Sequence, residues 1–266
     1  MRLVGMVLVG LTASVLSGCS DTGPAETVCT PRGTEYRISS EQAAHAATIA
    51  AVGRSRGLPE RAVTIALATA LQESGLRNLA YGDRDSLGLF QQRPSQGWGT
   101  PDQVTEPRYA AAAFYAALTG VPDWEGQRLT EAAQAVQRSG FPEAYQQWEP
   151  QAQALTAALG DQPAGLSCTA AELPTTPQAE RQATLAQLVE IDFAVAPSAT
   201  EPDLLRWPAA EQGWPLAHWL VAHAAQFGIT DVSFDGRRWS GSDGWGADTA
   251  ATDSEVTARV AAAQDG

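Results

Sequence analysis

Between residues 59 and 72, apolar side chains recur at intervals of three and four (Ala62, Val63, Ala66, Leu67, Ala70). This is the spacing of a helix that buries one stripe. Pro59 suits its first turn, where a missing N–H costs nothing. Upstream, Ser39 or Ser40 caps a helix running to about Arg56. Gln42 is placed to complete a capping box on Ser39, and Gly57 stops the helix. Val104 to Leu118, Leu129 to Gln137 and Gln151 to Leu159 repeat the helical period. Together these segments predict an all-α domain over 37–160.

Beyond it the pattern changes. Residues 161–179 are rich in Pro, Gly and Thr and read as a linker. Glu180 to Glu190 is predicted helical, and Ile191 to Val195 a strand. Trp207 to Phe227 is predicted as an amphipathic helix carrying Trp214 and Trp219, with Gly228 ending it. Ile229 to Phe234 alternates as a strand does, Asp235-Gly236 supplies a turn, and Arg237-Arg238-Trp239 follows. Ser254 to Ala261 is a last strand or helix. The expected fold class is therefore multidomain, an all-α domain followed by a small α/β domain over 180–266.

The N-terminus carries targeting chemistry. Arg2 precedes an apolar run, Leu3 to Val15, that is too short for a stable bilayer span. Leu16-Ser17-Gly18-Cys19 fits a bacterial lipoprotein cleavage signal. Residues 1–18 are then a signal peptide, and Cys19 is the lipidated first mature residue, anchoring the chain to the outer face of the cell membrane. An ordinary secretory signal with an incidental cysteine is the alternative. Residues 19–36 read as a Pro/Gly/Thr-rich stalk. With Cys19 lipidated, Cys29 and Cys168 remain. In an exported protein such a pair reads as a disulfide, against the alternative of two free buried thiols.

A net charge of −13, with arginine as the sole basic residue besides histidine, argues against nucleic acid and anionic surfaces as partners. His45, His218 and His223 lack metal-ligand spacing, and no phosphate loop or nucleophile elbow is present. The sequence predicts neither a metal nor a cofactor.

Glu73 stands where the apolar helix meets a polar loop, Tyr81-Gly82-Asp83-Arg84-Asp85-Ser86. A carboxylic acid at such a junction is placed for general acid catalysis, the chemistry of glycosidic-bond cleavage. Taken alone, a Glu-Ser pair is more often an exposed helix end followed by a loop.

Glu73-Ser74, Leu76, Ala80 and Gly88-Leu89-Phe90-Gln91 resemble the first two motifs of the soluble lytic transglycosylases. Glu106-Pro107-Arg108-Tyr109 with the following helix, Ala135-Val136-Gln137-Arg138-Ser139, and Phe141-Pro142-Glu143-Ala144-Tyr145 resemble later elements in the same order. The resemblance covers roughly residues 35 to 150. It implies a lysozyme-like fold and peptidoglycan glycan strands as substrate. In such enzymes the residue matching Glu73 protonates the MurNAc–GlcNAc β-1,4 oxygen. It then takes a proton from the sugar's own 6-hydroxyl as this attacks C1, leaving a 1,6-anhydro product. The resemblance further implies substrate contacts from Ser74, Phe90, Gln91, Gln137 and Tyr145, although Tyr145 is equally a packing residue.

Two departures qualify it. Gln137 and Arg138 stand where the family keeps Asn and Ala. Arg138 suits either a peptide-stem carboxylate or a solvated helix face. Tyr81-Gly82-Asp83 resembles the W-G-D of goose-type lysozymes. That makes Asp83, with Asp85 nearby, a candidate second carboxylate for hydrolysis, against a role in turn capping. Trp98, between Gly97 and Gly99, is expected on a loop beside the site. The C-terminal segment resembles modules of actinobacterial cell-wall proteins, which suggests a cell-wall protein partner without naming a chemistry. Three functions follow: a membrane-anchored glycan-strand-cleaving enzyme, a catalytically silent peptidoglycan-binding lipoprotein, and a transporter's solute- or metal-binding lipoprotein.

Overall fold

The structure of the chain, a computed structural model, describes residues 27–169 and 172–262. Cys19 and the signal segment lie outside these residues. The described elements run in the order β1 (Val28–Pro31), β2 (Ile38–Ser39), α1 (Ser40–Ser55), α2 (Glu60–Ser74), α3 (Pro101–Val104), α4 (Pro107–Thr119), α5 (Leu129–Gln137), α6 (Glu149–Ala158) and β3 (Leu166–Cys168). There follow α7 (Gln178–Phe193), β4 (Ala199–Thr200), β5 (Leu204–Pro208), α8 (Gly213–Ala222), α9 (Ala224–Phe227), β6 (Ile229–Phe234), β7 (Arg237–Ser240), β8 (Gly244–Ala247) and β9 (Glu255–Val260).

The expectation of an all-α lysozyme-like domain is overturned. The chain is mixed α/β, with two antiparallel sheets of three and six strands. The smaller sheet has the order β2-β1-β3, and two of its strands come from segments read as stalk and linker. β1 and β3 are short, and Pro31 lies in one of them, so neither carries a strand signal of its own. They pair because Cys29 stands directly opposite Cys168, and the two form a disulfide across 139 residues of chain.

Several local expectations hold. Ser39 caps α1, and Gln42 completes the capping box by accepting from the Ser39 N–H at 2.8 Å. α5 has the predicted bounds, as does β6. Asp235 and Gly236 are both left-handed (φ 47° and 70°), the turn that joins twisted strands. The residues from Ser254 form strand β9.

Others do not hold. Trp207 belongs to β5 and is fully buried, not the start of a helix. α8 is buried along its whole length, so it is apolar all round rather than amphipathic. It lies between the inner face of the six-stranded sheet (order β4-β5-β9-β6-β7-β8) and the elements α1 and β3. Ile191 to Val195 is no strand. The helix α7 continues to Phe193, because Asp192 accepts a bidentate pair of 2.7 Å hydrogen bonds from Arg108 of α4. Burial pushes the Asp192 carboxyl up, and the Arg108 guanidinium opposes that.

Side chains also tie the sheet segment to the helices. His218 of α8 accepts from the Gly165 N–H at 2.8 Å through Nε2 and sits 3.2 Å from Gly160 O through Nδ1. Trp245 Nε1 donates to Leu166 O at 2.7 Å, joining β8 to β3. Among the described residues no helix is long and apolar enough to cross a membrane.

Candidate active site around Glu73

Glu73 lies in the last turn of α2, half-buried. The helix stops just beyond it through a left-handed pair, Gly75 (φ 62°) and Leu76 (φ 60°). Leu76 N–H reaches back to Ala70 O at 3.1 Å, satisfying a terminal carbonyl. Left-handed backbone is unfavourable for leucine, and α1 holds it in place. Gln42 Nε2 donates to Gly75 O at 2.7 Å, and His45 Nδ1 sits 2.8 Å from Leu76 O. Helix α1 therefore sets where the glutamate emerges.

The segment Gly88-Leu89-Phe90-Gln91 is a four-residue loop closed by reciprocal backbone hydrogen bonds between Leu87 and Gln92, both 3.0 Å. Gly88 is required twice over. Its φ is 76°, and a Cβ there would lie 2.1 Å from Val104 O. Two carbonyls of the loop are held by neighbouring helices. Ser74 Oγ lies 2.8 Å from Leu89 O, and Gln137 Nε2 donates to Phe90 O at 2.8 Å. The motif loop is thus clamped between the end of α2 and the end of α5.

This geometry revises several expected contacts. Ser74 and Phe90 face inward: the hydroxyl serves the clamp, and the Phe90 ring is buried in a stack on Phe114 with centroids 4.8 Å apart. Gln137 is also part of the clamp through its amide nitrogen. Gln91 adopts a left-handed φ of 47°, and its amide nitrogen lies 3.3 Å from Tyr81 O and from Gly88 O. Tyr145 has a buried ring, yet its hydroxyl donates to Glu73 Oε1 at 2.6 Å. Burial, with the Glu73 carboxylate beside it, pushes the Tyr145 phenol up, so it stays protonated and donates.

The two aspartates of the loop differ. Asp85 accepts from Arg93 Nε (2.9 Å), from Ser95 Oγ (3.0 Å) and from the Ser95 N–H (2.7 Å). The Ser95 backbone donor, with Arg93 and the Ser95 hydroxyl, holds its carboxyl well below the usual range. Both its oxygens are occupied, and its work is to fasten the 81–96 loop. Asp83 has a side chain 90% exposed, and it forms a loose ion pair with Arg84 at 3.9 Å.

Sequence reasoning missed three contributors. Tyr81 and Phe141 are large aromatics left exposed, on loops flanking the motif loop and Tyr145. Only their position among turn residues signals this. Gln72, beside Glu73 in α2, accepts from Trp148 Nε1 at 2.8 Å, which no local pattern marks. Trp98 is partly buried against the core rather than free on its loop. With Gln137 and Arg138 it lines an open groove of about 700 Å³. A separate cavity of about 520 Å³, beside Trp239 on the six-stranded sheet, shares no lining residue with that groove. Among the described residues no cluster of His, Cys, Asp and Glu could hold a metal ion. No family model and no curated protein matches the chain.

Proposed function

We propose that this chain cleaves peptidoglycan glycan strands at the MurNAc–GlcNAc β-1,4 bond by a lytic transglycosylase reaction, with Glu73 as acid and then base. The observation that carries the reading is the hydrogen bond from the Tyr145 phenol to Glu73 Oε1. As Glu73 gives its proton to the glycosidic oxygen, its carboxylate gains charge, and a fixed donor strengthens as that charge develops. The C1–oxygen bond breaks, the sugar's 6-hydroxyl closes on C1, and Glu73 takes up the hydroxyl proton. No water is consumed. The engagement of Asp85 with Arg93 and Ser95 removes one of the two candidate second carboxylates, so a hydrolase that holds water on a second carboxylate would have to use the exposed Asp83. Gln91 and the exposed aromatics Tyr81 and Phe141 supply polar and apolar contacts to sugar rings.

Lipidation of Cys19 anchors the enzyme to the outer face of the membrane in this reading, and the C-terminal segment faces a cell-wall protein partner. The experiment is digestion of purified peptidoglycan in H₂¹⁸O by wild type, Glu73→Gln and Asp83→Asn. Unlabelled anhydro muropeptides from wild type, with loss of about 10²–10⁴ in rate for Glu73→Gln, are expected. Label at C1 that disappears in Asp83→Asn would replace the transglycosylase by a hydrolysing muramidase. No cleavage by wild type would leave a binding protein.

A further inference from the structure

The motif loop Gly88 to Gln91 rests on one short stretch of chain, where α3 gives way to α4. The Gly88 backbone sits so near Val104 O that a Cβ would lie 2.1 Å from it. One residue on, Thr105 O accepts from Asn78 Nδ2 at 2.7 Å, and Asn78 belongs to the segment that leaves α2 just beyond Glu73. Gln92, which closes the motif loop, is buried and donates through Nε2 to Ala110 O at 3.0 Å. The carbonyls of Val104, Thr105 and Ala110 therefore touch both parts of the candidate site, the chain after Glu73 and the motif loop.

Arg108 lies between those contacts, in the first turn of α4, and its side chain reaches into the C-terminal half. Nε and Nη2 each donate to Asp192 at 2.7 Å, one bond to each carboxylate oxygen. The Asp192 side chain is 1% exposed and stands in the last turn of α7. A two-point bond from a planar guanidinium to a carboxylate fixes direction as well as distance. The same turn of α7 makes a second contact. Phe193, with Pro215 and Trp219 of α8, faces the small side chains Ala47, Ala50 and Ala51 of α1 across a narrow gap. The first turns of α1 hold Gly75 O through Gln42 and Leu76 O through His45. One turn of α7 thus reaches the platform under the motif loop and the helix that sets the end of α2.

We propose that Asp192 is a positioning residue for the Glu73 site: through Arg108 it fixes the α3–α4 junction and so aligns the motif loop with the end of α2. The C-terminal half is then built into the site. The catalytic consequence rests on the cleavage reading of Glu73, whereas the rigidity of the motif loop is measured without turnover.

Asp192→Asn keeps the shape of the side chain and removes its charge. In the full chain, amide hydrogen exchange at Leu87 and Gln92 is expected to quicken about tenfold, the scale of one charge-assisted bond lost. Val232 and Ala258, paired on central strands of the larger sheet, should exchange at the wild-type rate. On glycan oligomers kcat should fall about tenfold with KM unchanged, because buried Asp192 cannot touch a sugar and a small misalignment acts on the chemical step. Arg108→Met with Asp192→Leu replaces the pair by apolar side chains that keep the helices packed, and the same changes are expected of it.

Wild-type exchange at Leu87 and Gln92 in either folded variant overturns the proposal. Exchange that quickens equally at Val232 and Ala258 overturns it too, since that is loosening of the whole fold. A loss of activity carried by KM alone does the same. Failure of both variants to fold also overturns it, because the pair would then hold the fold and not the site. If wild type cleaves nothing, the cleavage reading fails, and the exchange rates alone decide the positioning.

Discussion

The Tyr145 phenol donates to Glu73 Oε1 at 2.6 Å, joining side chains 72 residues apart in the chain. Glu73 ends α2, and Tyr145 opens the short turn that leads into α6, so the bond exists only when α2 and that turn are docked. Docking also brings Gln72 to Trp148 Nε1 at 2.8 Å, a second tie across the same seam. The carboxylate is therefore oriented by tertiary packing, not by its own helix.

Replacing Tyr145 by Phe removes the hydroxyl and keeps the ring. The expected result is a fall of about 10- to 100-fold in kcat with KM little changed, because the lost donor serves the charge that develops during proton transfer. Steady-state kinetics on defined glycan oligomers checks it. A proportionate rise in KM with kcat intact would assign the phenol to ground-state binding instead.

The Cys29–Cys168 bridge closes a loop of 139 residues between β1 and β3. The loop-entropy account assigns such a closure on the order of 4 kcal/mol. The double replacement by Ala should lower the denaturation midpoint accordingly while the secondary-structure spectrum is kept. An unchanged midpoint would mean that the β1–β3 pairing persists in the unfolded chain or contributes nothing.

Burial pushes His218 and His223 down to about 3 from the usual 6.5. For His218 the geometry agrees, since a proton on Nε2 would face the Gly165 N–H. A histidine depressed in the fold binds its proton more readily when unfolded. Stability is therefore full above about pH 6.5 and is lost as pH falls toward 3. Each histidine contributes a slope of about 1.4 kcal/mol per pH unit in that window. Urea titrations between pH 7 and 4.5, above the range where most carboxylates titrate, should show the decline. A flat stability there would refute it.

Changing Cys19 to Ala is expected to move the protein from the membrane to the soluble fraction with its kcat unaltered, lipidation being the proposed anchor. Fractionation of cells expressing each form measures this. A mutant that still sediments with membranes would point to another means of attachment.

What the sequence determined by itself was local. The Ser39–Gln42 capping box, the bounds of α5, and the strand Ile229–Phe234 with its Asp235-Gly236 turn are all written in residues a few positions apart. Helix periodicity, capping and turn geometry act at that range, so they could be read directly. The pairing of Cys29 with Cys168 was legible for another reason, because few cysteines were left to choose among. Tertiary structure decided the rest. β1 and β3 are strands because β1 takes hydrogen bonds from β2 on one side and β3 on the other, and neither has enough apolar alternation to announce itself. Trp207 sits in a strand because β9 lies beside it, and Asp192 stays helical because Arg108 reaches it from α4. At the site, sequence named Glu73, Ser74 and Gly88 to Gln91 together, but only packing turned Ser74 and Phe90 inward, tied Asp85 to Arg93, and left Glu73 facing Tyr145. A side chain's direction depends on which partners fill the space around it, and those partners come from anywhere in the chain.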